Sequence, residues 1–217
     1  MDKLRSMPLP RLYPIVDSSA LTARGFDLVS ASEAMLEGGA RILQFRHKGH
    51  YSRTIFEQAS RIAALCRDAN AQFIIDDRAD VALVLDAGVH LGQDDLPPAG
   101  ARKILGPDRL IGFSTHNAGQ FAAGLDEPAD YLAIGPVFAT RSKENPDPVV
   151  GLDQVRRLYR RTGLPLVAIG GITRNNALDV LAAGVDSVAV IHDILPDDCS
   201  LHALRERMEE WQRLVVK

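Results

Sequence analysis

The chain has 217 residues, of which 46% are hydrophobic and 24% charged, and carries a net charge of −3. That size and balance suit one soluble domain with a substantial core, expected over residues 1–217 with a lead-in over 1–10. The charge excludes a non-specific nucleic-acid binder, which needs a basic stripe, and no apolar run approaches the roughly 20 residues of a membrane span.

Neither nucleic acid nor membrane is therefore expected as a partner, whereas a homo-oligomer is compatible with the sequence. Cys66 and Cys199 lie far apart and form neither a metal spacing nor a disulfide framework. With no apolar signal segment before Leu12, reduced thiols and a cytoplasmic location are expected.

In chain order, Leu12 to Asp17 reads as a first strand, and Asp27 to Leu36 as a helix stopped by Gly38–Gly39. Ala40 to Phe45 is a second strand. Ser52 to Ala69 follows as an amphipathic helix, with Ile55, Phe56, Ala59, Ile62, Ala63 and Cys66 on one side. Strands at 72–75, 88–91, 109–113, 131–134, 166–169 and 187–191 alternate with helices at 81–85, 97–105, 117–124, 152–161, 175–183 and 201–215. A polar loop spans Val137 to Val150. The strands are continuous apolar runs, as in parallel sheets buried on both faces. Eight alternating units predict a single compact (β/α)8 TIM barrel of the α/β class, with an open doubly wound sheet as the alternative.

In such barrels the chemistry sits where the strands end. Gln44, Arg46 and Lys48 share one face of the second strand by its period of two, and offer an amide and two cations to a polyanion. Asp76, Asp77 and Arg78 follow the third strand, and Gln93, Asp94 and Asp95 the fourth. Asp77 and Asp95, on neighbouring strands, are expected to face each other and suit Mg2+, which takes a few protein oxygens plus substrate phosphate. The competing reading makes Asp76, Asp94 and Asp95 helix N-caps. His116, after the fifth strand, is the better acid–base candidate, whereas His90 inside the fourth reads as a core or hydrogen-bonded histidine. Gly170–Gly171 allows close approach of an anion, or simply a tight turn.

The motifs Gln44-x-Arg46-x-Lys48, Asp76–Asp77–Arg78, Val89 to Asp95, Ser114-x-His116, Gly135 to Lys143, Gly151 and Ile169 to Ile172, in this order, resemble the thiamine phosphate synthase and thiazole tautomerase family. The resemblance covers nearly the whole chain. It implies coupling of an aminomethyl-pyrimidine diphosphate to hydroxyethylthiazole phosphate, with Mg2+ as cofactor and pyrophosphate released. Gln44, Arg46, Lys48, Asp76, Ser114 and Lys143 would hold the diphosphate, with Arg46, Lys48, Ser114, His116 and Lys143 in catalytic roles. Asp77 and Asp95 would bind the metal. Thr140, Arg141, Ser142, Gly171, Ile191 and His192 would hold the thiazole phosphate. Two positions depart from the family pattern. Asp76 stands where Asn is usual and adds a negative charge beside the diphosphate, unless Arg78 or Mg2+ compensates. His192–Asp193 stands where small residues are usual, and Asp193 is expected to weaken phosphate binding without excluding it, since backbone N–H donors survive. Two other readings remain at this stage: a thiazole tautomerase using His116, and a non-catalytic barrel that binds a phosphorylated metabolite.

Overall fold

The computed structural model describes residues 9–140 and 147–216. Eight parallel strands close a barrel in sequence order: β1 (Leu12–Asp17), β2 (Ile42–Arg46), β3 (Gln72–Asp76), β4 (Gly88–Leu91), β5 (Ile111–Thr115), β6 (Tyr131–Ile134), β7 (Leu166–Ile169) and β8 (Ser187–Val190). The helices between them are α1 (Ser18–Ala23), α2 (Leu28–Glu37), α3 (Arg53–Asp68), α4 (Ala79–Leu85), α5 (Pro98–Leu105), α6 (Ala118–Gly124), α7 (Gly151–Tyr159), α8 (Ala177–Ala182) and α9 (Leu201–Val215). Among the described residues no helix is long and apolar enough to cross a membrane.

The strand period of two divides the core. Leu43, Phe45, Phe73, Ile75, Val89, Leu91, Leu132, Ile134 and Val188 face the helices, where Met208 and Trp211 of α9 join them. Tyr13, Ile15, Ile42, Ile74, Tyr131, Ala133, Val167 and Ala189 fill the barrel interior. Continuing the inward set towards the strand ends gives Asp17 on β1, Gln44 and Arg46 on β2, and Asp76 on β3. These are polar residues on an apolar face. The alternation that builds the core therefore also delivers the site.

Side chains start several helices: Asp17 caps α1 through Ala20 N–H at 2.9 Å, Ser52 caps α3 through Ile55 N–H at 3.3 Å, and Asn117 caps α6 through Gln120 N–H at 2.9 Å. The structure departs from the sequence expectations in three places. The six-residue helix α1 was not expected, because it is too short to show an apolar period. Strand β5 begins at Ile111 rather than Arg109 and runs on through Ser114 and Thr115, whose polarity had read as a strand end. The capping reading of Asp76 and Asp95 fails: α4 is capped at Arg78 without a side-chain bond and α5 at Pro97, while Asp95 closes its own turn by accepting from Gly92 N–H at 2.7 Å. Most of the lead-in over 1–10 lies outside the described residues.

Candidate active site

A cavity of about 740 Å³ opens at the carboxyl ends of the strands. Gln44, Arg46, Lys48, Asp76, Asp77, Asp95, Ser114, His116, Thr140, Gly171, Ile191 and His192 all line it. Arg141, Ser142 and Lys143 lie outside the described residues.

On the β2–β3 side every cation already holds a carboxylate. Lys48 Nζ sits 2.8 Å from Asp76 Oδ2 and also contacts Asp77. Arg46 pairs with Asp17, and its Nε lies 3.6 Å from Asp76 Oδ2. Gln44 Nε2 donates to Asp76 Oδ1 at 2.8 Å. An ionised carboxylate only accepts, so Asp76 dictates the orientation of the Gln44 amide and turns its oxygen away. Arg78, one of the two groups that could have compensated Asp76, is engaged elsewhere. It bonds Asp80 through Nε at 2.7 Å and lies over the Tyr51 ring, 5.1 Å from its centroid. The compensation comes from Lys48, Arg46 and Gln44. Burial nevertheless holds the Asp76 carboxyl above the ordinary range, the two cations only partly offsetting it. Asp17 goes the other way: burial is outweighed by hydrogen bonds from Ser19 and Ala20 and by Arg46, so its pKa is lowered. Asp17 was missed in the sequence, although its inward direction follows from the same alternation.

Asp77 adopts φ 63°, a left-handed conformation that Asp tolerates better than most residues. Its N–H still reaches His90 O at 2.8 Å, which carries the β3–β4 ladder one residue past the strand. Asp95 has its pKa raised, first by burial and then by the neighbouring Asp77 carboxyl. Two crowded carboxylates with only oxygen donors fit a hard divalent cation. Among the described residues no group of three or more His, Cys, Asp or Glu encloses a metal. Two carboxylates match the donor type of Mg2+, which keeps waters and substrate oxygens in its shell.

His116 Nδ1 lies 2.7 Å from Gly135 O and 3.5 Å from Asp147 Oδ2. A carbonyl only accepts, so Nδ1 carries the proton and, in a neutral ring, Nε2 is bare. His90 also lines the cavity, between Tyr131 and Ser114, and is more than a core histidine. The sequence signal for it was Gly112, where a Cβ would stand 2.1 Å from Tyr131 Cζ and 2.4 Å from His90 Nδ1.

The β7–β8 side is built from backbone. Gly170 and Gly171 have φ of 99° and 64°, and a Cβ on Gly171 would meet Ala139 O at 2.6 Å. The glycine pair thus lets the β6–α7 loop close over β7. Asp193, the departure at β8, is ion-paired with Arg174. Its carboxylate accepts from Arg174 N–H at 3.2 Å and Nε at 3.0 Å, and Arg174 Nη1 also holds Glu210 at 2.5 Å. The residue two positions after Gly171–Ile172 thereby neutralises the departure at β8.

Comparison with known proteins agrees with this geometry. A family described as thiamine monophosphate synthase matches residues 12–194. The chain is 43% identical over 212 residues to a thiamine-phosphate synthase of Koribacter versatilis, covering 96% of this chain and 97% of that protein. It is 47% identical over 168 residues to one of Laribacter hongkongensis, covering 77% of this chain and 79% of that protein. The solved structure of a thiamine phosphate pyrophosphorylase from Pyrococcus furiosus superposes with a TM-score of 0.82 at 35% identity, covering 95% of both chains.

Proposed function

The chain belongs to the thiamine monophosphate synthase family, its activity is that of a thiamine-phosphate synthase, and we propose that it works by Mg2+-assisted release of pyrophosphate from an aminopyrimidine diphosphate, followed by attack of a thiazole phosphate. The observation that carries the reading is the ammonium of Lys48 set between Asp76 and Asp77, with Arg46 beside it, in one strand-end cavity.

The hard step is heterolysis of the carbon–oxygen bond to the diphosphate, whose bridging oxygen keeps the electron pair. Lys48 and Arg46 face the charge that grows there, and Lys143 is assigned to the same role. Mg2+, held by Asp77 and Asp95, would supply further neutralisation of the leaving group. The aminopyrimidine-methyl cation is stabilised by its own amino group, so the thiazole nitrogen attacks without a protein nucleophile. Gln44 and Ser114 orient the pyrimidine. Gly171, Thr140, Arg141, Ser142 and the Ile191–His192 turn orient the thiazole phosphate. Positioning and leaving-group electrostatics supply most of the acceleration. A thiazole tautomerase would need His116 as acid and base but would leave the carboxylate–cation cluster without a task. We place the enzyme in the cytoplasm, where Cys66 and Cys199 stay reduced.

Pyrophosphate release from purified protein, both substrates and Mg2+ tests the proposal. Release abolished by EDTA and by Asp77→Ala is expected. Turnover that persists in EDTA would refute the metal role, and no release at all would refute the reaction.

A further inference from the structure

Three hydroxyls and one imidazole form a continuous line beneath the charged side of the cavity. Tyr13 and Tyr131 share a hydrogen bond of 2.8 Å, Tyr131 Oη lies 3.1 Å from His90 Nδ1, and His90 Nε2 lies 2.8 Å from Ser114 Oγ. The imidazole stacks on the Tyr131 ring, with centroids 5.6 Å apart and planes at 21°. Gly112 leaves the room for that pair.

Each hydroxyl carries one proton, and a neutral imidazole carries one on either nitrogen. The line therefore has two self-consistent polarities. In the first, Tyr13 donates to Tyr131, Tyr131 to His90 Nδ1, and His90 Nε2–H to Ser114, whose own proton is left for the cavity. In the second every bond is reversed, and Tyr13 is left with a proton to place. Tyr13 is 1% exposed, and among the described residues its hydroxyl has Tyr131 as its only hydrogen-bond partner. Tyr13 borders the cavity, yet at 1% exposed it has almost no access to water, so the second polarity leaves its proton poorly satisfied, which is unfavourable. The first leaves the spare proton on Ser114, which is half-buried and faces open space.

We infer that His90 is a positioning residue which, backed by Tyr131 and Tyr13, holds Ser114 as a hydrogen-bond donor towards an acceptor atom of the substrate. The inference rests on the reading of Ser114 as a contact to the aminopyrimidine diphosphate. A donor fixed in this way prefers a ring nitrogen or a diphosphate oxygen and rejects an amino group presented at the same place.

Nitrogen NMR on histidine-labelled protein reads the tautomer directly, without substrate. Free wild-type protein is expected to carry the His90 proton on Nε2. Tyr131→Phe removes the donor to Nδ1, so the tautomers mix. kcat/KM for the diphosphate then falls about tenfold, the scale of one misdirected hydrogen bond, while KM for the thiazole phosphate is unchanged. Tyr13→Phe leaves the Tyr131 proton only His90 Nδ1 to bond, so the tautomer is kept and the loss is smaller, roughly two- to threefold. A proton on Nδ1 or on both nitrogens in the wild type overturns the inference. So does an equal loss in the two phenylalanine variants, which is what simple packing predicts. Wild-type protein that makes no thiamine phosphate would refute the proposed function instead, and the tautomer would still decide this one.

Discussion

Along β2 and β3 the rim of the cavity consists of charged side chains, each cation already matched: Arg46 with Asp17, and Lys48 with Asp76 and Asp77. Along β7 and β8 the rim is mostly main chain, with Gly170, Gly171 and the Ile191–His192 turn lining the cavity. The one carboxylate there, Asp193, is tied back to Arg174. The difference suits the two jobs proposed for these sides. A leaving diphosphate gains charge during the reaction and needs strong, preplaced cations whose mutual repulsion is contained by carboxylates. A phosphate that only anchors its substrate needs donors that are present and unchanging, and backbone N–H groups at a glycine turn provide them. Substitutions should accordingly damage the first side through kcat and the second through KM.

The largest effect expected is on the charged side. Lys48→Met removes the ammonium between Asp76 and Asp77 and should lower kcat on the order of 10²–10³-fold, as losing one preorganised donor at a developing charge does. Steady-state pyrophosphate release measures it. A change confined to KM would show that Lys48 binds without assisting departure, and the contrast between the two sides would collapse. Next is Gly171→Ala, where the new Cβ meets Ala139 O at 2.6 Å with φ at 64°. The left-handed conformation alone costs about 1–2 kcal/mol, so a lowered Tm should accompany a raised KM for the thiazole phosphate. Arg174→Ala should act more weakly. It frees Asp193 towards the phosphate and raises that KM by roughly fivefold, near 1 kcal/mol for a partly exposed ion pair. Asp193→Ala in the same background should restore it. Failure of that rescue would mean that Arg174 touches the phosphate itself.

Much of this was legible in the sequence because one rule does two tasks. The period of two that places Ile42 and Ile74 in the barrel interior also places Gln44, Arg46 and Asp76 above them. What could not be read were relations across the barrel. Asp17 looked like a strand end, and only closure of β1 against β2 brings it beside Arg46. His90 reads in the sequence as a core or hydrogen-bonded histidine, and only the barrel reveals its partners, Ser114 from β5 and Tyr131 from β6. Arg174 and Asp193 lie on different strand–helix units, so the carboxylate read as unpaired and repulsive. Strand β5 was misplaced for a local reason: Leu110 extends the apolar run towards Arg109, whereas Ser114 and Thr115 hide inside the ladder.

Asp76→Asn should have the smallest effect, and it bears on the comparison most directly, because Asp76 and Asp17 both sit beside Arg46 and yet are shifted in opposite directions. Burial dominates at Asp76, so its folded pKa is raised above the ordinary 3.8. A carboxyl raised on folding contributes stability that is fully present below its unfolded pKa and is lost as pH rises through the folded one. Asp17, with its folded pKa lowered from 3.8, contributes stability above that value which is lost as pH falls through the lowered pKa. Asp76→Asn should therefore show little Tm difference from wild type in acid, and a growing advantage as pH rises from about 4 through the raised pKa. Asp17→Asn should show the reverse, a deficit at neutral pH that closes in acid. With one carboxylate fewer holding Lys48, KM for the diphosphate should fall by roughly twofold in Asp76→Asn, within the worth of one partly exposed ion pair. Tm profiles that run parallel for the two variants would mean that the cations, not burial, set the state of Asp76. The charged side of the cavity would then be stabilised by its extra carboxylate rather than held under electrostatic strain by it.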